Sequence, residues 1–285
     1  MGRIVWLASY PKSGNTWLRA FLANLIADRE QPLPLAELPD YCEDEARADR
    51  YARLAGRPAQ DLTVAELCAL RPAVHEMIAA AAPGSVLVKT HNLWGGFEGH
   101  PLHNPKVTAG GVYVVRNPLD VAVSMTHHFG LGVDEAIEFL GNEDTATASD
   151  HRWAGQVLGS WSSHVESWAG IDHPNFLTVR YEDLLEKPAK TFARIARLLG
   201  IADRARIERA IGHASFQTLA RIERRDGFVE ASEKTDARFF RIGRARQWPQ
   251  ALSREQVARI VERHRAQMAR FRYLPSGFPA SAPAT

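Results

Sequence analysis

The chain has 285 residues, of which 45% are hydrophobic and 24% are charged. These proportions are ordinary for a folded globular protein, and the length suits a single α/β domain with a buried core. A net charge of +2 excludes the strongly basic field that non-specific nucleic-acid binding requires. No apolar run approaches the roughly 20 residues of a membrane-spanning helix. We therefore expect neither nucleic acid nor a membrane as a partner.

The two cysteines, Cys42 and Cys68, are too few for a disulfide framework, and their spacing matches no metal or redox motif. Reduced thiols are typical of a cytoplasmic protein. The apolar stretch at the start of the chain is too short for a secretory signal and leads directly into a loop. We therefore expect a cytoplasmic protein without a targeting segment.

Four short apolar runs are rich in β-branched residues and lack polar alternation, which indicates buried parallel strands. They are IVWLA at 4–8, SVLVKT at 85–90, GVYVVR at 111–116 and NFLTVR at 175–180.

Helical patterns separate these runs. Apolar residues recur at helical spacing over 16–28, and the segment 188–200 starts with proline and stops at glycine. Asn117 and Pro118 suit the cap and first position of a further helix. A long amphipathic helix is predicted over 253–271. Strands that alternate with helices predict an α/β fold with a central parallel sheet flanked by helices on both faces.

The chain shows no convincing domain boundary, so we predict a single domain over residues 1–274. Segments 28–84, 92–110 and 130–156 are expected to be insertions around the sheet. The Pro/Ser/Ala-rich segment 275–285 is predicted to be a disordered tail.

The sequence SYPKSGNTW, residues 9–17, joins the first predicted strand to the first predicted helix. A loop of small residues at a helix N-terminus offers backbone N–H groups to a phosphate or sulfate. The ATP-binding form of this loop places a lysine directly after its second glycine. If Gly14 is that glycine, Asn15 takes the lysine position, and Lys12 lies in mid-loop, near a leaving oxygen of the bound anion. The loop therefore predicts an oxyanion site that differs from a site for Mg-ATP.

Several motifs, in chain order, resemble those of sulfotransferases that use 3′-phosphoadenosine 5′-phosphosulfate (PAPS). YPKSGNTW resembles the 5′-phosphosulfate loop of that family, Y-P-K-[SA]-G-[TN]-T-W. The other matching segments are VKTH at 88–91, which resembles the catalytic-histidine segment; VVRNPLDVAVS at 114–124, which resembles the 3′-phosphate signature; GSWSSHVESW at 159–168; TVRYEDL at 178–184; and, more loosely, HASF at 213–216 and RIGRARQW at 241–248. The resemblance implies a P-loop NTPase-like three-layer fold and PAPS as donor, with no metal.

The resemblance also implies which residues bind the donor. The loop residues Ser13, Gly14, Asn15 and Thr16 are expected to hydrogen-bond the 5′-phosphate and sulfonate, and Lys12 to stabilise the bridging oxygen. The remaining expected donor contacts are Arg116 and Ser124 with the 3′-phosphate, Trp17, Tyr181 and Phe216 with adenine, and Arg241, Gly243 and Arg244 in the late segment. For Trp17, a core aromatic on the first helix is the alternative.

His91 follows a predicted buried strand, at the end where open α/β sheets place their active sites. A neutral imidazole there can accept the proton of an acceptor hydroxyl, and the resemblance identifies His91 with the catalytic base of the family. Lys89 lies two residues earlier on the same strand and therefore points to the same face. It is a candidate for stabilising charge on the sulfonate.

The late segment departs from the family pattern R-K-G-x-x-G-x-W. Ile242 replaces the lysine, Arg246 takes the second glycine position, and Ala214 replaces a threonine before Ser215. Arg244 or Arg246 is a candidate for the charge that Ile242 lacks. Asp120 reads as a charge in the first turn of a helix rather than a catalytic acid.

We therefore predict a PAPS-dependent sulfotransferase that acts on a hydroxyl, or less readily an amine, of a small-molecule or natural-product acceptor. Two histidine pairs, at 100 and 103 and at 127 and 128, lack the companion ligands of a metal site, so no metal is expected. A P-loop kinase that uses Mg-ATP and a non-catalytic nucleotide-binding protein are the alternatives. The sequence leaves the acceptor and the oligomeric state open.

Overall fold

Five parallel strands form the central sheet. The computed structural model describes residues 2–231 and 238–279. Its strands are β1 Ile4–Ser9, β2 Glu43–Asp44, β3 Val86–Thr90, β4 Gly96–Phe97, β5 His100–Pro101, β6 Thr108–Val115 and β7 Phe176–Arg180. The sheet order is β2-β3-β1-β6-β7, and every pair in it is parallel. Strands β4 and β5 pair separately, as a short antiparallel hairpin.

Helices occupy most of the connections between the strands. They are α1 Asn15–Ala27, α2 Leu38–Tyr41, α3 Ala48–Ala55, α4 Val64–Ala81, α5 Pro118–Phe129, α6 Val133–Gly141, α7 Trp161–Ala169, α8 Tyr181–Glu186, α9 Pro188–Leu198, α10 Arg204–His213, α11 Phe216–Asp226 and α12 Arg254–Arg270. Short 3₁₀ turns lie at Leu35–Glu37, Ala59–Asp61 and Trp248–Gln250.

The strand β1 shows how the sheet separates two apolar layers. Ile4, Trp6 and Ala8 are buried in one cluster, which also contains residues of α4, α5, α7 and α12. Val5 and Leu7 are buried in the other cluster, with residues of α1, α9, α10 and α11. Alternate residues of a strand point to opposite faces, so an uninterrupted apolar run is what two covered faces require. The predicted α/β class, with a parallel sheet covered on both faces, is confirmed.

The four predicted strands are found with small shifts, whereas β2 and the short hairpin strands β4 and β5 were not predicted. Strand β6 begins at Thr108, three residues earlier than its apolar run suggests. Strand β2 consists of Glu43 and Asp44, inside a segment predicted as an insertion, and extends the sheet at the edge beside β3. A pair of acidic residues lacks the apolar, β-branched character from which the other strands of the sheet were predicted. Asp44 lies beside Lys89 in the register and forms an ion pair with it at 2.7 Å.

The predicted helix starts are confirmed where a cap was identified. The Asn117 side chain accepts a hydrogen bond from the Leu119 N–H at 3.0 Å, and Pro118 is the first residue of α5. The Ser253 side chain caps α12 by accepting from the Gln256 N–H. Strands β1, β3 and β6 end at the same edge of the sheet, and the loops that follow them meet there.

The end of the chain is only partly described. Residues 275–279 follow α12, and the Pro279 carbonyl accepts a hydrogen bond from Arg265 Nη1 at 2.6 Å. Residues 280–285, most of the predicted tail, lie outside the described residues. The single domain over 1–274 and the disordered tail stay predictions. Within the two described ranges, no helix has the length and apolar character needed to cross a bilayer.

The aromatic contact between α1 and α9 gives a test of the packing on one face of the sheet. Phe21 is fully buried, and its ring centroid lies 4.2 Å from that of Phe192. We predict that Phe21→Ala lowers the free energy of unfolding by about 3–5 kcal/mol, because a buried phenylalanine leaves a cavity. The measurement is urea unfolding followed by circular dichroism.

Ile26 on the same helix is 40% exposed and supplies the control. Ile26→Ala should change the free energy of unfolding by no more than about 0.5 kcal/mol. Equal effects of the two substitutions would contradict the packing described for α1.

Candidate active site

A cavity of about 690 Å³ opens at the carboxyl ends of β1, β3 and β6. Most of the residues predicted from the sequence line it: Lys12, Gly14, Asn15, Thr16, Trp17, Lys89, His91, Arg116, Ser124, Tyr181, Phe216, Arg241 and Gly243. Two predicted residues are not in its wall. Ser13 is buried behind the loop, and Arg244 is exposed outside the cavity.

The loop after β1 is held in a left-handed turn. Lys12 has φ of 65° and Gly14 has φ of 106°. A Cβ atom on Gly14 would lie 2.7 Å from a ring carbon of Tyr181, so no larger residue fits. Arg116 Nη1 donates a hydrogen bond to the Lys12 carbonyl at 2.9 Å and so ties the loop to the end of β6.

The loop offers several groups to an anion. Asn15 and Thr16 begin α1, where backbone N–H groups have no partner within the helix. The Ser13 hydroxyl is 1% exposed and makes no hydrogen bond to any described residue. The Asn15 side chain is committed elsewhere. It donates to the Leu7 carbonyl at 2.8 Å and accepts from Arg19 Nε at 3.1 Å, which leaves the Asn15 backbone for a ligand.

Lys12 projects into the cavity, with Nζ 4.2 Å from the centroid of the Phe239 ring. Burial lowers the pKa of Lys12 to about 7, and the charge of Arg116 acts in the same direction. The ammonium is thus held in a poorly solvated position where a bound anion would favour its charged form.

Arg116 and Tyr181 form the wall next to the loop. The guanidinium carbon of Arg116 lies 4.4 Å above the Tyr181 ring. Arg116 Nε is buried and makes no hydrogen bond to a described residue, so it is available to a phosphate. Trp17 donates its indole N–H to the Ala214 carbonyl at 2.8 Å and packs edge-on to Tyr181. Trp17 therefore is both a wall of the cavity and part of the packing.

Phe216 and Gly243 are in close contact on the opposite wall. Phe216 is the first residue of α11, which Ser215 caps. A Cβ on Gly243 would lie 2.2 Å from the Phe216 ring, and Gly243 has φ of 61°. Glycine is required here because the backbone lies directly against the aromatic ring.

His91 is oriented by hydrogen bonds on three sides. Its Nδ1 lies 2.7 Å from the Ser9 carbonyl, so Nδ1 carries the proton and Nε2 keeps its lone pair. The backbone N–H donates to Gln156 Oε1 at 2.8 Å, and the carbonyl accepts from His164 Nε2 at 3.0 Å. Nε2 makes no hydrogen bond to a described residue. Burial, with the Lys89 charge in support, lowers the pKa of His91 to about 3, so the ring is neutral at physiological pH.

A buried carboxylate fixes the backbone on both sides of His91. Glu45 is fully buried, and its Oε1 accepts hydrogen bonds from the Thr90 hydroxyl and from Asn92 Nδ2. Its Oε2 accepts from Arg71 and His75. Burial alone would raise the pKa of Glu45, but these two partners more than offset it and hold that pKa below its usual range.

Lys89, on β3, is held in place by contacts with two residues from other segments. Its ammonium pairs with Asp44 at 2.7 Å and lies 5.3 Å from the Trp153 ring centroid. Both partners come from segments that the sequence analysis left as insertions. Lys89 and His91 line the same cavity, as their two-residue spacing on β3 predicts.

The family model for the sulfotransferase domain matches residues 3–272. The chain belongs to the sulfotransferase domain family. Curated relatives agree with this assignment. Cytosolic sulfotransferase 6 of Arabidopsis thaliana is 24% identical over 268 residues, which are 89% of this chain and 75% of that protein. Flavonol 4′-sulfotransferase of Flaveria chlorifolia is 28% identical over 237 residues, which are 77% of this chain and 64% of that protein.

The fold of this sulfotransferase also matches a solved structure. Mouse sulfotransferase SULT7A1, complexed with PAP, superposes with a TM-score of 0.61 at 22% identity. The match covers 93% of this chain and 84% of the mouse chain. At this identity the likeness concerns the fold, and it agrees with the parallel sheet and flanking helices described above.

Glu230 is a site residue that the sequence analysis missed. Its carboxylate lines the cavity, accepts from the Thr16 hydroxyl at 3.1 Å and pairs with the buried Arg19 at 2.6 Å. Burial would raise the pKa of Glu230, but Arg19 outweighs it, so the pKa lies well below its usual range. Arg19 lies three residues after Thr16 on α1, but nothing in the sequence connects either residue to position 230.

The far part of the cavity is mainly apolar. Its wall consists of Phe129, Leu131, Phe139, Ala146, Ala148, Trp153 and Ala154, with His127, His128, Thr147, Ser149, Asp150 and Gln156 as polar members. These residues lie in or next to the insertion at 130–156. The described residues contain no group of three or more His, Cys, Asp or Glu side chains arranged to hold a metal ion.

The low pKa of Lys12 predicts that an anionic nucleotide binds with proton uptake. Above about pH 7 the free protein holds Lys12 largely neutral, whereas a bound phosphate restores its charge. We predict that adenosine 3′,5′-bisphosphate, the product of the donor expected from the sequence, takes up about one proton on binding at about pH 8. The measurement is titration calorimetry in two buffers of different ionisation enthalpy.

Lys12→Arg is the control for this experiment, because arginine stays charged at this pH and removes the proton uptake. A binding enthalpy that does not depend on the buffer in the unmodified protein would contradict the prediction.

Proposed function

We propose that this sulfotransferase transfers the sulfonate of PAPS to a hydroxyl of an apolar small-molecule acceptor. The observation that carries the proposal is the orientation of His91. A neutral imidazole, with its lone pair on Nε2, lines the same cavity as a phosphate-binding loop and two cationic side chains, Lys12 and Arg116.

The residues at the loop suit the donor. Arg116 lines the cavity, and its buried Nε lacks a hydrogen-bond partner among the described residues, so it can donate to a phosphate. The start of α1 offers N–H groups to the 5′-phosphate. Arg116 and Ser124 suit the 3′-phosphate, and Trp17, Tyr181 and Phe216 provide aromatic surface for adenine.

The chain then contributes a base and a cation to the transfer. As the acceptor oxygen bonds to sulfur, His91 Nε2 takes the hydroxyl proton. The bond from sulfur to the bridging phosphate oxygen breaks, and adenosine 3′,5′-bisphosphate leaves. Lys12 stabilises the negative charge that develops on that oxygen. Lys89, held by Asp44, adds positive charge beside the sulfonate.

The acceptor class follows from the far part of the cavity. Its aromatic and aliphatic wall favours an apolar acceptor, with Thr147, Ser149 and Gln156 available to orient it. The name of the Flaveria relative specifies a flavonol as its substrate, which agrees with an acceptor of this kind.

The kinase alternative is not favoured by the geometry of the loop. The residue at the ATP-loop lysine position is Asn15, and its side chain holds the loop to β1 and Arg19. A non-catalytic nucleotide-binding protein would have no need for a base held as firmly as His91.

Nucleotide binding separates the proposed donor from ATP. We predict that adenosine 3′,5′-bisphosphate binds in EDTA at least about tenfold more tightly than ATP, because Arg116 and Ser124 provide a 3′-phosphate site. The measurement is titration calorimetry with both ligands. ATP binding that requires magnesium, with no preference for a 3′-phosphate, would overturn the proposed function in favour of a kinase.

Substitution of His91 tests its proposed role as the base that accepts the hydroxyl proton. His91→Ala should reduce sulfonate transfer to a phenolic test acceptor by at least about 100-fold, which is the usual contribution of a general base. Its affinity for adenosine 3′,5′-bisphosphate should stay within about threefold, because the expected donor contacts lie elsewhere.

His173→Ala, at an exposed histidine outside the cavity, is the matched control and should retain full turnover. Full turnover of His91→Ala would instead show that another group accepts the proton.

A further inference from the structure

The carboxylate of Asp120 accepts three consecutive backbone N–H groups from a distant segment. Arg246 N donates to Oδ2 at 2.7 Å, and Gln247 N and Trp248 N donate to Oδ1 at 2.8 Å and 3.1 Å. Asp120 is 1% exposed. Both oxygens are thus occupied by a segment more than 120 residues away, and neither is presented to the cavity.

Asp120 connects the two sides of the predicted 3′-phosphate site. It lies in the first turn of α5, between Arg116 at the end of β6 and Ser124 one turn further along the helix. Both of those residues line the cavity. The segment that Asp120 binds follows Arg241 and Gly243, which line the cavity from the other side.

Gln247 extends this connection to the neighbouring arginines. Its backbone is held by Asp120, its Oε1 accepts from Arg241 Nη2 at 3.0 Å, and its Nε2 donates to the Arg244 carbonyl at 2.7 Å. Gln247 therefore connects Asp120 to Arg241 and Arg244, and it also lines the cavity itself.

The hydrogen bonds to Asp120 also account for a departure from the family pattern. Arg246 stands where the pattern has glycine, and it adopts φ of 60°. A non-glycine residue is strained in this left-handed conformation. The charge-assisted hydrogen bond from its N–H to Asp120 offsets such a strain. The Arg246 side chain is exposed and does not line the cavity.

We propose that Asp120, with Gln247 as its brace, is a positioning residue that gives the site its selectivity for a nucleotide with a 3′-phosphate. It holds Arg241 and Gly243 opposite Arg116 and Ser124, so that the 3′-phosphate is enclosed from both sides. The proposal rests on PAPS being the donor. Asp120 acts through the segment it anchors and touches neither substrate.

The test compares two nucleotides that differ only in the 3′-phosphate. Adenosine 3′,5′-bisphosphate and adenosine 5′-monophosphate are titrated into the full-length protein and into Asp120→Asn, which keeps the shape but loses the charge. We expect the variant to bind the bisphosphate at least about tenfold more weakly and the monophosphate within about threefold of the original affinity. If the variant is folded, as circular dichroism would show, and binds both ligands equally more weakly, the proposal is overturned.

Two further variants keep the result interpretable. Gln247→Ala removes the brace without touching the helix, and it is expected to reduce selectivity in the same direction even if Asp120→Asn does not fold. Asp134→Asn makes the same chemical change at an exposed first-turn aspartate of α6 and should leave the ratio of affinities unchanged.

Failure of the donor proposal is distinguishable from failure of this one. If the unmodified protein does not prefer the bisphosphate, the donor assignment is wrong, and this inference falls with it. If the unmodified protein prefers the bisphosphate and both Asp120→Asn and Gln247→Ala keep the full preference, only the role of Asp120 is wrong.

Discussion

The hydrogen bond from Arg116 to the Lys12 carbonyl connects two parts of the site, the loop after β1 and the end of β6. It ties down the loop directly before α1, in which Lys12 and Gly14 adopt left-handed conformations. The same guanidinium lies over Tyr181, whose ring also excludes any residue but glycine at position 14. One buried cation therefore sets the shape of the loop and the wall beside it, and it still has an unpaired Nε for a phosphate.

The distribution of carboxylates around the cavity decides where an anion is attracted. Arg71, Lys89 and Arg19 are paired with Glu45, Asp44 and Glu230, respectively. Within the described ranges, no carboxylate forms an ion pair with Lys12 or Arg116. Buried cations without a partner are costly unless a ligand supplies the charge, so this charge distribution is the one expected of a site for a polyanion. Glu230 adds negative charge to the cavity wall, where it accepts a hydrogen bond from the Thr16 hydroxyl.

Much of the architecture was predictable because its signals are local. An apolar run that faces two covered layers, as in Ile4–Ser9, indicates a buried strand whatever its neighbours are. The cap at Asn117 and the proline after it act within a few residues. Strand β2 could not be predicted, since Glu43 and Asp44 join the sheet only through their pairing with Val88 and Lys89. The resemblance to the sulfotransferase family supplied expected roles for Ser124 and Phe216, which neither spacing nor composition indicates; both residues line the cavity.

The sequence alone determined four strands of the central sheet, four of the helices, the loop between β1 and α1, and the family, because each depends on residues adjacent in the chain. Tertiary structure decided which atom of each side chain is free to act. Whether His91 offers Nδ1 or Nε2 depends on the Ser9 carbonyl, and whether Lys89 is paired depends on Asp44. The hydrogen bond of the Asn15 side-chain amide likewise depends on a partner that folding brings close. The same is true of the three backbone N–H groups that donate to Asp120. Hydrogen bonds and ion pairs act over a few ångströms in space, so contacts between residues 100 or more positions apart leave no pattern in one sequence.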